Sequence, residues 1–235
     1  MGFFVNDWQG APLPPRDILV GQYCRLEPLS LQGHGAHLHA AFQLDGSGKL
    51  WDYLPYGPFA NESDYLAWIE QECLGNNPLF YAIIDPQEQK PVGVASFLRI
   101  NPTHGSVEVG HLCFSPLLQG TTAATEAMFL MMQQAFDLGY RRYEWKCNAL
   151  NLASRRAAQR LGFSYEGLFR QSHVFKGRNR DTAWYSVLDR EWPTLRQAFA
   201  SWLAPDNFES GVQKVSLSGL TAPLLAERDP ALVQA

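Results

Sequence analysis

The chain has 235 residues, 46% apolar and 18% charged, with a formal net charge of −4, a balance that supports a sizeable core and excludes wholesale disorder. Its longest basic runs are Arg141-Arg142 and Arg155-Arg156, which excludes the concentrated cationic face that nucleic acid requires. With no signal-peptide pattern and no apolar run long enough to span a membrane, a cytoplasmic protein is expected, with no membrane partner.

Residues 1–16 contain Pro12, Pro14 and Pro15 and read as an irregular arm, extending to about residue 20. Gln22–Glu27 reads as a first strand ended by Pro28, and His34–Leu44 as a helix broken by Asp45-Gly46-Ser47-Gly48. His34, His37 and His39 lack a matching Cys or carboxylate pattern, so no metal is expected and surface positions are. Leu50–Phe59 is aromatic and proline-containing, a structured loop. Glu62–Leu74 is predicted helical, with Tyr65, Trp68, Ile69 and Cys73 on one face.

Strands follow at Phe80–Ile84, Val92–Ile100 and Ser106–Phe114, separated by Asp85-Pro86 and Asn101–Gly105, which predicts an antiparallel meander. Thr122–Leu138 carries Ala124, Met128, Met131, Ala135 and Leu138 as a helical stripe capped by Gly139. In Arg142–Cys147, Tyr143, Trp145 and Cys147 face one way while Arg142, Glu144 and Lys146 face the other. Asn151 caps a helix over Leu152–Leu161. Strands near Tyr165–Phe175 and Asp181–Leu188 and a helix over Glu191–Leu203 complete one domain over residues 1–204. Residues 205–235 are thinly patterned and read as a C-terminal extension or tail. The four cysteines, Cys24, Cys73, Cys113 and Cys147, show no paired metal-ligand spacing; Cys113 and Cys147 read as small buried hydrophobes.

The most informative stretch is Phe114–Ala127, where an apolar strand enters a Pro116 turn, a run of small residues and then a helix. A helix start leaves backbone N–H groups unpaired and partially positive, so it can hold a phosphate without a basic side chain. Gly120, Thr121, Ala123 and Ala124 would let an anion approach closely. A Walker-type P-loop fits less well because no Lys-Ser/Thr follows Gly120, and so does a dinucleotide fingerprint because only Gly120 of its three glycines is present.

This loop, with Glu108-Val109-Gly110-His111, Asn151-Leu152-Ala153-Ser154 and Arg160-Leu161-Gly162-Phe163, resembles the GNAT N-acetyltransferase superfamily, in particular its RimJ/RimL-like branch. The resemblance spans about Tyr23–Trp192. It implies an α/β (α+β) GNAT fold: a mixed, mostly antiparallel central sheet flanked by helices and splayed between the fourth and fifth strands. It also implies acetyl-CoA as cosubstrate, with no metal. Gln119 and Ala124 fill the ends of the family's Gln/Arg-x-x-Gly-x-Gly/Ala loop, while Thr122 replaces the middle glycine. A Cβ there restricts positive φ; hydroxyls of Thr121, Thr122 and Thr125 are candidate compensating donors.

By the same resemblance, the pantetheine arm pairs with exposed backbone near Leu112, Cys113 and Phe114, and a backbone N–H near Cys113 or Phe114 polarises the thioester carbonyl. Asn151 helps hold the arm, beside its capping role. Glu108 is the candidate base: alternation places Glu108, Gly110 and Leu112 on one side, facing the cleft. A free glutamate is too weak to deprotonate an ammonium efficiently, so transfer through a water is expected, in an apolar setting given by Val107, Val109 and nearby aromatics. The competing reading pairs Glu108 with an arginine. The tyrosine many family members use toward the leaving thiolate is absent at Ala158, and Ser154 is the candidate donor, with helix capping as its alternative role.

Trp51, Asp52, Tyr53 and Tyr56 lie where this family shapes its acceptor pocket, with core packing as the alternative. Arg155, Arg156 and Arg160 either attract the 3′-phosphate of CoA or solvate a helix face. The partner implied is an amine acceptor, a protein N-terminus or a small amine, and a homodimer is compatible. The competing class is a catalytically silent acyl-CoA-binding sensor or interaction module.

Overall fold

The computed structural model describes residues 2–233. Strands β1 (Leu19–Val20), β2 (Arg25–Pro28), β3 (Leu79–Asp85), β4 (Lys90–Asn101), β5 (Ser106–Phe114), β6 (Arg142–Asn148), β7 (Ser164–Phe175) and β8 (Arg178–Leu188) form one sheet. Their order is β1-β2-β3-β4-β5-β6-β8-β7. Neighbours are antiparallel except β5 and β6, because α3 (Thr122–Asp137) carries the chain back between them.

Alternation assigns the two faces. Leu79, Tyr81 and Ile83 join Tyr143, Trp145 and Cys147 in a core under α3, α4 (Leu152–Arg160) and α5 (Trp192–Leu203). Phe80, Ala82 and Ile84 point the other way, into a second core with Leu38 and Phe42 of α1 (Leu31–Phe42) and Tyr65 of α2 (Glu62–Trp68). α1 starts earlier than the periodicity suggested, because the Ser30 side chain accepts from Gly33 N–H and caps it. His34 is buried, its ring bonded to Ser30 N–H and Glu27, so it is not a surface residue.

The first strand is shorter than Gln22–Glu27. Gly21–Cys24 instead form a turn, closed by Gly21 N–H to Cys24 carbonyl at 2.9 Å. The buried Glu126 carboxylate of α3 accepts from the N–H groups of Gln22, Tyr23 and Cys24 at 2.9, 2.6 and 2.8 Å. A Cβ on Gly21 would lie 2.3 Å from Glu126 Oε2. Gly21→Ala must therefore displace that carboxylate, and hydrogen bonds to a charged group contribute about 1.5–3 kcal/mol each. The expected loss is about 3 kcal/mol, a fall of roughly 6–12 °C in thermal denaturation for a chain of this size; an unchanged Tm would contradict the packing.

The segment read as an extension or tail is packed over residues 205–233. It forms a small hairpin of β9 (Phe208–Glu209) and β10 (Val212–Gln213), then α6 (Leu217–Thr221) and α7 (Pro230–Val233). Leu217, Thr221 and Asp229 are buried. Thr221 Oγ1 donates to the Arg160 carbonyl, and Ala226 N–H donates to Ser164 Oγ. These elements are too short to show a period, and a polar residue anchors their end. Asp229 pairs with Arg155 at 2.5 Å, so Arg155 is a buried structural cation, neither a solvated side chain nor a phosphate ligand.

Candidate active site

β5 and β6 pair from Ser106 opposite Arg142 to Val109 opposite Trp145, and then part. The parting begins where β5 bulges: His111 takes φ 52°, and the register against β4 shifts between Val94 and Ser96. The extra residue reverses the alternation. Val107 and Val109 face the α3 core, and beyond the bulge Leu112 and Phe114 face it while Cys113 enters the α1–α2 core. Glu108 and Leu112 therefore do not share a side, contrary to simple alternation.

Into the gap opens a cleft of about 960 Å³, lined by Leu112, Cys113, Phe114, Trp145, Asn151 and Ser154 and by the loop Gln119–Thr122 with Ala124 and Thr125. Ala123 alone of the expected loop residues is not on its wall. Thr121 caps α3: its hydroxyl accepts from Ala124 N–H at 3.1 Å and donates to the Leu118 carbonyl at 2.7 Å. The N–H groups of Thr122 and Ala123, the first of α3, keep no partner among the described residues. The left-handed residue of the loop is Gly120, at φ 73° with open space around its Cβ position. Thr122 is the first helical residue and has no positive φ, so the missing motif glycine costs nothing in backbone strain here.

Thr125, buried on the cleft wall, accepts from Arg160 Nη1 at 3.0 Å, while Arg160 lies over the Trp202 ring at 5.1 Å. Burial lowers the Arg160 guanidinium from its ordinary value. Gln119 Nε2 donates to the Phe114 carbonyl at 2.8 Å, bracing the turn. The sequence also missed the far wall, where Phe208, Gly211, Val212 and Gln213 of the C-terminal hairpin line the cleft. No local signal marked them.

Asn151 caps α4 through Ser154 N–H at 3.0 Å. Ser154 Oγ accepts from Trp145 Nε1 at 3.0 Å on the cleft wall, and its own hydrogen has the Cys147 sulfur within reach. Ala153 and Ala157 line the cleft beside it, whereas Ala158 is fully buried in the core.

Glu108, 3% exposed, lies on the opposite side of the sheet. Arg99 Nη1 contacts both its oxygens at 2.8 Å and Lys146 Nζ contacts Oε2 at 2.8 Å. Its neighbours are thus cations, where an apolar setting was expected. Of about four lone-pair sites on a carboxylate, one remains for a water.

The aromatic loop divides. Trp51 is buried against Phe42, Tyr56 and Phe59, so it is core and no acceptor ligand. Asp52 is exposed, and Tyr53 Oη reaches the Leu150 carbonyl at 3.2 Å, joining the loop to the turn before Asn151. Tyr56 stacks on His111 at 5.6 Å, its hydroxyl 3.2 Å from Nδ1. They line, with Trp68, Glu72 and Phe80, a second cavity of about 440 Å³. Burial, aided by the charge of Arg99, lowers the His111 imidazole to about 4, so it is neutral at physiological pH. Lys176, in the β7–β8 turn, donates to the carbonyls of Trp51 at 2.8 Å and Gly57 at 3.3 Å, tying that hairpin across the loop.

No group of three or more His, Cys, Asp and Glu suited to a metal occurs among the described residues, and no described helix is long and apolar enough to cross a membrane. A family model described as an acetyltransferase (GNAT) domain matches residues 25–164. A GCN5-related N-acetyltransferase structure from Brucella melitensis is 47% identical, with a TM-score of 0.90, covering 93% of this chain and 100% of that one. The microcin C7 self immunity acetyltransferase MccE, solved with acetyl-CoA and AMP, is 25% identical with a TM-score of 0.65, over 75% of this chain and 98% of that one. A curated Bacillus licheniformis relative, an uncharacterized N-acetyltransferase p20, is 26% identical over 61% of this chain and 81% of its own length. With a sheet parted at its one parallel pair beside an open helix N-terminus, and a family model that spans most of it, the chain belongs to the GNAT acetyltransferase family.

Proposed function

We propose that the protein transfers the acetyl group of acetyl-CoA to a primary amine by direct attack in a ternary complex. The observation that carries this reading is the 960 Å³ cleft running from the unpaired N–H groups of α3 to the gap between β5 and β6. The acetyl-CoA named with MccE supports the same cosubstrate here. In this reading the diphosphate sits on Gly120–Ala124, backbone beyond the His111 bulge holds the arm and polarises the thioester carbonyl, and Asn151 orients the turn beside it. Ser154, its oxygen already engaged by Trp145, turns its hydroxyl to donate a hydrogen bond to the leaving thiolate. Glu108 receives the amine's proton through one water, with Arg99 and Lys146 fixing its direction. The acceptor enters from the Glu108 side, past Asp52, Tyr53 and Tyr56; protein N-termini, as in the RimJ/RimL-like branch, and small amines are the classes to assay.

Acceptor-dependent release of CoA with a panel of peptides and amines tests the reading. Tight acetyl-CoA binding without release from any acceptor would establish a silent acyl-CoA-binding module instead. Glu108→Gln is expected to lower kcat about 100-fold, the usual scale for losing a positioned base. The loss should be greatest at low pH, where free amine is scarce, with the acetyl-CoA dissociation constant unchanged. A variant as active as wild type at every pH would remove Glu108 as the base.

A further inference from the structure

Three buried polar atoms on β8, Arg180 Nε, Thr182 Oγ1 and Trp184 Nε1, have no hydrogen-bond partner among the described residues. They are spaced i, i+2 and i+4 on a strand with no left-handed residue, so their side chains share a face. It is the face of Lys146: Trp184 lies opposite Lys146 and Thr182 opposite Asn148 in the ladder, and Lys146 Nζ sits 3.8 Å over the Trp184 ring. Both partners on β6 lie beyond Trp145, where the strand has parted from β5. The orphaned donors therefore flank the gap on the side of Glu108.

The charges on this face do not cancel. Glu108 is held by Arg99 and Lys146, Glu144 by Arg142 and Lys146, and Glu166 by Arg142. Arg180 has no carboxylate partner among the described residues. Burial lowers its guanidinium from the ordinary value, and Arg99 adds to this while Cys147 and Glu108 oppose it, so Arg180 lies within reach of the same charges. Four cations meet three carboxylates. Guanidinium and indole N–H groups only donate, whereas a hydroxyl both donates and accepts, and all three are buried atoms without a partner among the described residues. An amine cation could donate only to the Thr182 hydroxyl and would leave both N–H groups unpaired. An oxygen anion satisfies all three and balances the charge.

We propose that the acetyl acceptor carries an oxyanion, a carboxylate or a phosphate, close to its amine, and that this group docks on Arg180, Thr182 and Trp184. The Lys176 tie holds the hairpin that carries Arg180 against the aromatic loop, giving that dock a fixed wall. The proposal rests on the amine-acetylation reading and narrows its substrate class to amino-acid-like acceptors.

The test pairs acceptors that differ only in the anion: free L-amino acids against their carboxamides, and phosphoethanolamine against ethanolamine. CoA release should favour the anionic member of at least one pair tenfold or more in kcat/KM, and which pair shows it separates carboxylate from phosphate. Arg180→Gln should shrink that preference below about threefold by raising KM for the anionic member, with acetyl-CoA affinity unchanged. Equal rates within every pair, or an equal loss on both members in the variant, overturns the proposal. Thermal shifts of the acetyl-CoA-saturated protein with the same compounds keep the two readings apart. If nothing releases CoA but the anionic members alone raise the Tm, and fail to do so in Arg180→Gln, the anion dock stands and transfer falls. No release and no differential shift overturns the dock as well.

Discussion

Asp229→Ala is expected to lower the thermal midpoint by roughly 6–20 °C. Asp229 is fully buried and accepts from Arg155 Nε at 2.7 Å, Arg155 Nη2 at 2.5 Å and the Tyr185 hydroxyl. Removing one member of a buried ion pair leaves an uncompensated charge and costs about 3–5 kcal/mol, and each kcal/mol moves Tm by about 2–4 °C in a chain of this size. The double replacement Arg155→Met with Asp229→Leu should recover more than half of that loss, since an apolar pair needs no partner. Because Arg155 Nη1 also holds the Ala149 carbonyl at 2.9 Å, the C-terminal segment braces the turn that carries Asn151 and Ser154. A single variant within 2 °C of wild type would mean that residues 205–233 are not part of the folded unit.

The same pair sets an acid limit. Burial alone would raise the Asp229 carboxyl, but hydrogen bonds from Arg155, Tyr185 and Ala231 N–H, with the charge of Arg155, hold it below the usual carboxylate range. A group depressed in the folded state contributes stability above its unfolded value, about 3.9 for aspartate, and loses it as pH falls through the folded value. The gap in Tm between wild type and Asp229→Ala should therefore persist down to about pH 4 and close in stronger acid.

What the sequence disclosed and what it hid follow from range. Tyr143, Trp145 and Cys147 against Arg142, Glu144 and Lys146 is a local alternation, and the structure keeps both faces. The strand–loop–helix around Gly120 is equally local and folds as its residues suggest. Glu126 reaching Gln22, Tyr23 and Cys24, and Arg155 reaching Asp229, join residues more than 70 positions apart. Periodicity carries no information about such pairs. The bulge at His111 was hidden for another reason: any residue can be the inserted one, and a single insertion exchanges the faces of everything after it. That one residue moved Leu112 from the side of Glu108 to the wall of the cleft. Trp51 was misplaced by its loop, whose aromatic residues serve the core and the cleft from adjacent positions.

Thr122→Asp separates helix stability from phosphate binding, which most substitutions in the loop would confuse. Thr122 is the first residue of α3, and a carboxylate there favours the helix by about 0.3–1 kcal/mol. The variant should therefore melt at or slightly above the wild-type temperature. A diphosphate seated on the same N-terminus meets the new charge at about 5 Å, where an effective dielectric of about 20 gives about 3 kcal/mol of repulsion per charge pair before salt screening. Acetyl-CoA affinity should fall at least tenfold, about 1.4 kcal/mol, and the deficit should narrow as salt is raised. Thr122→Asn, similar in size and neutral, should stay within about threefold of wild type. If the aspartate variant binds acetyl-CoA as tightly as the parent in low salt, the diphosphate does not rest on α3, and the cosubstrate must enter the cleft in another orientation.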